Sequence, residues 1–160
     1  MKFPPHYKEK ICLVAIVKNE ERFLKEWLIY HRMIGIDMFF IYDDDPESPL
    51  KSLPNYYDQF VKVIRWWHIN KSKSKHGNQL AAYKHAFENY ASSFDWVFFL
   101  DIDEFVVLRQ HDTLQEFLKT CNQASAVSLN WFIFGHNGFV EDPGGLVTSY
   151  LTKRQANASA

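Results

Sequence analysis

The sequence predicts an α/β domain in which a mostly parallel sheet is flanked by helices. Strand-sized apolar runs alternate with amphipathic helical segments, and this alternation implies crossover connections between parallel strands. The first run, residues 11–17, is apolar without interruption, as expected for a strand that is covered on both faces. Acidic residues recur directly after these runs, where open α/β sheets bind their ligands.

The composition is that of one compact domain, which we interpret as spanning residues 1–160. Apolar residues make up 47% and aromatic residues 17%, and 18 basic against 19 acidic side chains give a net charge of −1. Disorder requires low hydrophobicity and high net charge, so this class is excluded. The balanced charge provides no global field for nucleic acid, and no nucleic-acid partner is predicted.

The location of the protein is predicted from the lengths of its apolar segments. No run approaches the roughly 18 to 20 apolar residues that span a bilayer. The N-terminal residues contain no long apolar core of the kind that a signal peptide has. We therefore expect a soluble, cytoplasmic protein, with peripheral association at the inner face of the membrane as an open alternative.

The first half of the chain alternates between strand and helix. After the strand at residues 11–17, apolar residues at spacings of three and four predict an amphipathic helix to about residue 34. Gly35 is suited to end this helix because glycine readily adopts the left-handed conformation found there. Residues 38–42 and 61–66 are rich in β-branched and aromatic side chains and predict the second and third strands.

The second half continues the alternation. Residues 78–90 have a helical period of apolar side chains, and residues 96–100 predict a fourth, buried strand. A short helix is predicted at residues 114–118. Residues 126–134 predict a last strand, which leads into a glycine-rich loop.

Asp101-Ile102-Asp103 follows the predicted fourth strand without a break. In an extended segment alternate residues share a face, so both carboxylates would project together while Ile102 faces the core. Neighbouring carboxylates repel one another unless a cation lies between them, and Mg²⁺ or Mn²⁺ takes carboxylate and phosphate oxygens as ligands. We predict that Asp101 and Asp103 bind Mn²⁺ or Mg²⁺; the alternative is a solvated strand end.

Two further polar clusters offer contacts to a nucleotide. Asp43 ends the second strand and could accept hydrogen bonds from a base or ribose hydroxyl, although aspartate before a proline is also common turn chemistry. His76 and Gln79 flank the start of the helix at residues 78–90, and a helix N-terminus is a natural site for a phosphate oxygen. The alternative is that Asn78 only caps this helix.

The C-terminal quarter supplies candidates for the acceptor side and for a general base. Trp131 and His136 stand near the glycine-rich loop, where an aromatic face suits a sugar ring; a core position is the alternative for Trp131, and is favoured for Phe132. Glu141 and Asp142 offer a carboxylate that could take a proton from an acceptor hydroxyl. A polar turn is the alternative for this acidic pair.

Six short motifs between residues 11 and 154 carry a resemblance to a known family. They are Val17-Lys18-Asn19-Glu20, Glu26-Trp27-Leu28-x-Tyr30-His31-Arg32-x-Ile34-Gly35, Phe40-Ile41-Tyr42-Asp43, Gln79-x-Ala81-x-Tyr83-x-His85, Trp96-x-x-Phe99-Leu100-Asp101-Ile102-Asp103-Glu104-Phe105 and Trp131-x-x-Phe134-Gly135-x-x-Gly138. Each motif is modest, but their order and spacing together are specific. The chain resembles bacterial glycosyltransferases of the family 2-like group, close to the family 92 (DUF23-like) sequences.

The resemblance implies a GT-A fold with a Rossmann-like nucleotide-binding sheet. It implies that a sugar is transferred from a nucleotide-sugar donor, with UDP as the expected nucleotide, and that Mn²⁺ or Mg²⁺ is bound. By position in the motifs, Asp103 would ligate the metal and Asp101 would contact the metal or the ribose. Asn19, Glu20 and Asp43 would line the nucleotide pocket.

The resemblance also implies an inverting transfer to a glycan or lipid-linked saccharide, of the kind found in lipopolysaccharide and other cell-surface polysaccharides. More acceptor-side structure would be expected than 160 residues provide, so a C-terminally truncated domain is one interpretation. Two alternative functions stay open. One is metal-dependent nucleotidyl or phosphoryl transfer by the same acid pair, and the other is a non-catalytic remnant that binds a nucleotide-sugar.

Overall fold

The computed structural model describes residues 9–47, 50, 55–67 and 75–150. The chain divides into two compact units, residues 1–119 and residues 120–160. A single domain over the whole chain stays a prediction. The first unit contains β1 (Ile11–Val17), α1 (Glu21–Met33), β2 (Met38–Asp43), β3 (Val61–Arg65), α2 (Lys75–Asn89), β4 (Trp96–Phe99) and α3 (Leu114–Lys119), with short 3-10 helices at Asn55–Gln59 and Ala91–Ser93.

The four strands form a parallel sheet in the order β3-β2-β1-β4, which confirms the predicted α/β, Rossmann-like architecture. Val17 at the end of β1 lies beside Asp43 at the end of β2, and Asp43 lies beside Arg65 at the end of β3. Because the strands are parallel, their carboxyl ends meet at one edge of the sheet. The sheet therefore brings together residues that are far apart in the sequence.

Each face of the sheet carries its own core. On one face Leu13 and Ala15 belong to a cluster that includes Trp27 and Leu28 of α1. On the other face Cys12 and Val14 belong to a second cluster with alanines of α2. Because both faces of β1 are covered, its side chains are apolar without alternation, as predicted.

Helix α1 ends where Gly35 adopts a φ of +116°, as its glycine predicts. The Ile36 N–H donates to the His31 carbonyl at 3.0 Å, and the Gln115 side chain donates to the Gly35 carbonyl at 2.6 Å. A Cβ at Gly35 would collide with Gln115, so the sharp turn also lets α3 pack closely. Among the described residues, no helix has the length and apolarity to cross a membrane.

Two predicted strands differ from the structure. Strand β4 is only partly buried, and Phe99 is 38% exposed, because β4 lies at an edge of the sheet and pairs with β1 alone among the described strands. Residues 126–134 form no strand, apart from a single bridge position at Phe134. None of residues 120–150 is buried, so within this unit the apolar run has no core to cover it.

Candidate functional site

Acidic residues lie in two places at the carboxyl ends of the strands. The first is a cavity of about 180 Å³ beyond β1 and β2, and the second is the turn that follows β4, residues 101–104. We call them the strand-end cavity and the acidic turn. The strand-end cavity is lined by Val17, Asn19, Glu20, Glu21, Arg22, Asp43, Asp45 and Leu50.

Asn19 sets the entry to α1 at the strand-end cavity. Its φ is +58°, in the left-handed region that asparagine tolerates better than most side chains. The chain therefore reverses sharply after β1, and α1 begins at Glu21 beside the cavity. The predicted contacts Asn19 and Glu20 do line this space. Arg22 also lines it but was not predicted, although its place in the first turn of the helix could have indicated it.

Asp43 lines the strand-end cavity, but its carboxylate is already bound to the backbone. Its side chain is 1% exposed; Oδ1 accepts the Asp45 N–H at 3.3 Å and Oδ2 accepts the Leu50 N–H at 3.0 Å. The proposed turn chemistry is thus present, with Asp43 binding the backbone of Asp45 and Leu50, two residues that line the cavity. A contact from Asp43 to a base or ribose stays a prediction.

The acidic turn is not the extended segment that we predicted. The Asp101 carbonyl accepts the Glu104 N–H at 3.1 Å, and Glu104 Oε2 accepts the Asp101 N–H at 3.0 Å, so residues 101–104 close a turn. Ile102 is nevertheless 2% exposed, while Asp101 and Asp103 are exposed. The prediction that Ile102 is buried while both aspartates face solvent is therefore correct, although a turn and not an extended segment places them there.

Helix α2 holds the Asp101 side chain from one side. Gln79 Nε2 donates to Asp101 Oδ1 at 2.8 Å and to the Tyr83 hydroxyl at 3.0 Å, and that hydroxyl lies 3.5 Å from the same Oδ1. Burial and the nearby charges of Asp101 and Glu104 raise the pKa of Tyr83 to about 12, so its hydroxyl stays protonated. Sequence reasoning selected Gln79 but missed Tyr83, although the two are spaced four residues apart on one helix face.

The electrostatics of the acidic turn suit a divalent cation. Burial raises the pKa of Glu104, and the negative charges of Asp101 and Asp103 raise it further. Within the described part of the chain, no lysine or arginine forms an ion pair with these carboxylates. Exposed carboxylate oxygens fit Mg²⁺ or Mn²⁺, which often takes only one or two protein carboxylates and completes its shell with phosphate and water.

The acidic turn does not by itself form a complete metal cage. Over residues 9–47, 50, 55–67 and 75–150, no group of three or more histidine, cysteine, aspartate or glutamate side chains is placed to hold a metal. A cation at Asp101 and Asp103 would therefore need ligands from a bound diphosphate or from water. Metal binding by this pair stays a prediction.

Two predictions concerned residues at the start of α2, Asn78 and His76. The helix begins at Lys75, so Asn78 lies inside its first turn and the alternative that Asn78 caps this helix is wrong. Asn78 Nδ2 instead donates to Asp44 Oδ2 at 3.1 Å, which ties α2 to the loop after β2. The backbone of His76 lies in α2, and its side chain is outside the described residues.

The remaining predicted residues belong to the second unit, where they are exposed. Trp131 is 71% and Phe132 46% exposed, so the core positions considered for them are wrong. His136 Nδ1 accepts the Gly138 N–H at 3.1 Å. The carboxylate of Asp142 accepts the Gly144 N–H at 2.9 Å, which is the polar turn that we named as an alternative, and Glu141 beside it is exposed. Their catalytic and acceptor-side roles stay predictions.

Comparisons with known proteins identify the family. A family model for glycosyltransferase family 92 matches residues 9–144. A family 92 protein of Oryza sativa subsp. japonica is 31% identical over 97% of the chain, and one of Ricinus communis is 30% identical over 94%. A third, from Arabidopsis thaliana, is 25% identical over 94% of the chain.

The matches cover only part of each relative. This chain spans about a quarter of their length, 27% in each case. No solved structure matches the chain significantly. The family match nonetheless extends over most of the chain and includes both the strand-end cavity and the acidic turn. The chain belongs to glycosyltransferase family 92.

Proposed function

We propose that this chain forms the donor-binding part of a metal-dependent glycosyltransferase. The donor would be a nucleotide-sugar, with UDP as the expected nucleotide, and the acceptor a glycan or lipid-linked saccharide. The observation that carries the proposal is the pair of polar sites, the strand-end cavity and the acidic turn, at the carboxyl ends of parallel strands in a family 92 chain. Open α/β sheets bind nucleotides at these ends.

The strand-end cavity would receive the nucleoside. Asn19, Glu20 and Asp45 supply polar groups around it, and the first turn of α1 brings Arg22 to its wall. The N-terminal end of a helix and an arginine both favour negative charge. We therefore expect the base and ribose to enter the cavity while the phosphates remain near the start of α1.

The acidic turn would bind the metal that accompanies the diphosphate. A bound Mn²⁺ or Mg²⁺ supplies positive charge that stabilises the leaving diphosphate. The protein contributes the carboxylates of Asp101 and Asp103, and Gln79 and Tyr83 orient the first of these through Oδ1. Asp101 and Asp103 are both exposed, so their carboxylate oxygens can be reached by a cation.

The acceptor chemistry would use exposed residues of the segment 120–150. For an inverting transfer a carboxylate must take the proton of the acceptor hydroxyl, and Glu141 and Asp142 are our candidates because both are exposed. Trp131, which is 71% exposed, offers an aromatic face to an acceptor sugar. The lipopolysaccharide type of acceptor follows from the family resemblance, and the expected site of action in the cytoplasm at the membrane follows from the lengths of the apolar segments.

The test is a panel of nucleotide-sugars, with and without Mn²⁺, read both as binding and as release of nucleoside diphosphate. Asp103→Asn removes a charge from the acidic turn, and Glu88→Gln removes one from an exposed position on α2. We expect Asp103→Asn to lower Mn²⁺-dependent release by about 100-fold or more, the scale seen when one electrostatic transition-state contact is lost. Glu88→Gln should match the parent chain.

The same panel separates the proposal from its alternatives. Unchanged release in Asp103→Asn would contradict the metal assignment. A response to nucleoside triphosphates in place of nucleotide-sugars would favour nucleotidyl or phosphoryl transfer. Tight donor binding with no release in the parent chain would favour a non-catalytic binding role.

A further inference from the structure

One face of α1 binds the backbone that follows the acidic turn. Trp27 Nε1 donates to the Glu104 carbonyl at 2.9 Å, and the Tyr30 hydroxyl donates to the Val106 carbonyl at 2.8 Å. His31 Nε2 lies 3.4 Å from the Val106 N–H. The three side chains are spaced three and four residues apart and therefore lie on one helix face. They bind three backbone groups of residues 104–106, more than 70 residues away in the chain.

The hydrogen bonds of His31 fix its protonation. Its Nδ1 lies 2.9 Å from the Trp27 carbonyl, which can only accept, so Nδ1 carries the proton. Nε2 of the neutral ring is then the acceptor for the Val106 N–H. The ring is fully buried, and burial lowers the pKa of His31 to about 4. The imidazole is therefore neutral near pH 7, in the tautomer that both contacts require.

Aromatic packing makes this attachment stiff. The Phe105 ring stacks on His31 at 5.8 Å between centroids and meets the edge of Tyr30 at 5.2 Å. Trp27 packs against His31 at 4.8 Å. Since Phe105 directly follows the acidic turn, its side chain and the two peptide groups around it are held by the same helix face.

We propose that Trp27, Tyr30 and His31 are positioning residues that set the orientation of the acidic turn. We call the three the α1 clamp. The turn is then held from two sides, by the α1 clamp beyond Glu104 and by Gln79 of α2 at Asp101. Metal and diphosphate binding need carboxylates placed to within a fraction of an ångström, so such second contacts control affinity. This inference rests on the proposed function, because the clamp matters for activity only if the acidic turn binds the metal.

A clamp of this kind is distinguished from ordinary core packing by comparing two hydroxyl deletions. Tyr30→Phe removes one hydrogen bond of the clamp and keeps the ring. Tyr42→Phe is its matched control, because the Tyr42 hydroxyl bonds to His85 Nδ1 at 2.8 Å and belongs to the core cluster on the α2 face of the sheet. Each variant loses one hydroxyl and one part-buried hydrogen bond, so their stabilities should fall by similar amounts.

The two variants are compared by Mn²⁺ affinity in the presence of UDP, read by electron paramagnetic resonance, and by amide hydrogen exchange. In Tyr30→Phe we expect the Kd for Mn²⁺ to rise about fivefold, the factor that one ordinary hydrogen bond allows. Exchange at residues 104–106 should accelerate in the same variant. Tyr42→Phe should leave both readouts at the level of the parent chain.

The outcomes judge the clamp and the proposed function separately. Equal Mn²⁺ affinity and equal exchange at residues 104–106 in the two variants would overturn the clamp, because Tyr30 would then be only a core residue. A parent chain that binds no Mn²⁺, with or without UDP, would instead overturn the proposed metal site. In that case exchange at residues 104–106 would still show whether α1 holds the turn.

Discussion

The loop after β2 and the turn after β4 have similar sequences but different environments. Asp43 ends one strand and Asp44 and Asp45 follow it, and residues 101–104 also contain three carboxylates. In the first cluster Asp43 is 1% and Asp45 5% exposed, and Asp43 binds two backbone N–H groups. In the second cluster Asp101 and Asp103 are exposed. The buried acids hold a loop, and the exposed acids are available to a ligand.

The position of each strand in the sheet explains this difference. Strand β2 has a neighbour on both sides, so a side chain at its end is enclosed by the ends of β1 and β3. Strand β4 is at the edge, and its end is more open. A buried carboxylate must be hydrogen-bonded, whereas an exposed one can exchange water for a cation. Sheet position, more than the number of acids, therefore distinguishes the two roles.

The largest effect on stability is expected for Asp43→Ala. It removes the acceptor for the Asp45 and Leu50 N–H groups in a buried place, and hydrogen bonds to charged groups contribute about 1.5 to 3 kcal/mol each. We expect the free energy of unfolding, measured in urea, to fall by about 3 kcal/mol. Asp103→Ala, in the exposed cluster, should change it by less than about 0.5 kcal/mol.

Equal or reversed effects of these two alanine variants on stability would contradict the difference between the two acidic clusters. An Asp43→Ala chain as stable as the parent, with weakened UDP binding, would make Asp43 the base or ribose contact that the sequence predicted. A strongly destabilised Asp103→Ala chain would show that the acidic turn serves the fold as much as the ligand.

A second prediction concerns pH and the buried support of the acidic turn. Unfolded His31 takes up a proton near pH 6.5, whereas burial lowers its folded pKa to about 4. Between these values the unfolded chain binds more protons, so this group lowers the stability as pH falls from 6.5 to 4. At about pH 4 the free energy of unfolding is lower by about 3 kcal/mol, because the folded and unfolded pKa of His31 differ by two to three units.

Unfolding in urea at several pH values, with His31→Asn beside the parent chain, isolates this contribution. The variant should lose the part of the slope that His31 causes. Glu104 contributes with the opposite sign, because its raised pKa lets the folded chain bind the extra proton as pH falls. Since Glu104 is present in both chains, it cancels in the difference. Identical slopes in the two chains would contradict a neutral, buried His31.

Much of the first unit could be predicted from local patterns. The uninterrupted apolar run of β1 predicted a strand covered on both faces, and Gly35 predicted the end of α1, because each signal depends on near neighbours in the sequence. The start of α2 was wrong by three residues, since Asn78 has the chemistry of a cap but forms a bond to Asp44. A helix start depends on tertiary partners that the sequence does not display.

The site was harder to predict than the fold. Gln79 and Asp101 were selected for separate reasons, and only the structure brings them to 2.8 Å. Trp27 and His31 were seen as one apolar helix face, because hydrogen bonds to backbone groups more than 70 residues away leave no local signal. The strand at residues 126–134 was predicted from apolar content, which indicates a strand only where a core covers it.

A smaller effect than those of Asp43 and His31 is expected for Gln79→Ala, which tests how far α2 prepares the exposed cluster for its ligand. Among the described residues, the change leaves Asp101 Oδ1 with the long contact to Tyr83 alone, so the carboxylate gains rotational freedom. Loss of a second contact to a metal ligand weakens binding by about 10- to 100-fold, and we expect the low end here because Asp101 is exposed. The measurement is the Kd for Mn²⁺ in the presence of UDP.

Asn89→Ala is the matched control for this last change. Asn89 is an exposed amide on the same helix whose Nδ2 also makes a 2.8 Å hydrogen bond, but to the His85 carbonyl. Both variants should keep the unfolding free energy within about 0.5 kcal/mol of the parent, as surface substitutions usually do. If Gln79→Ala bound Mn²⁺ as tightly as Asn89→Ala, Asp101 would need no orientation from α2. The contrast between the two acidic clusters would then reduce to solvent exposure alone.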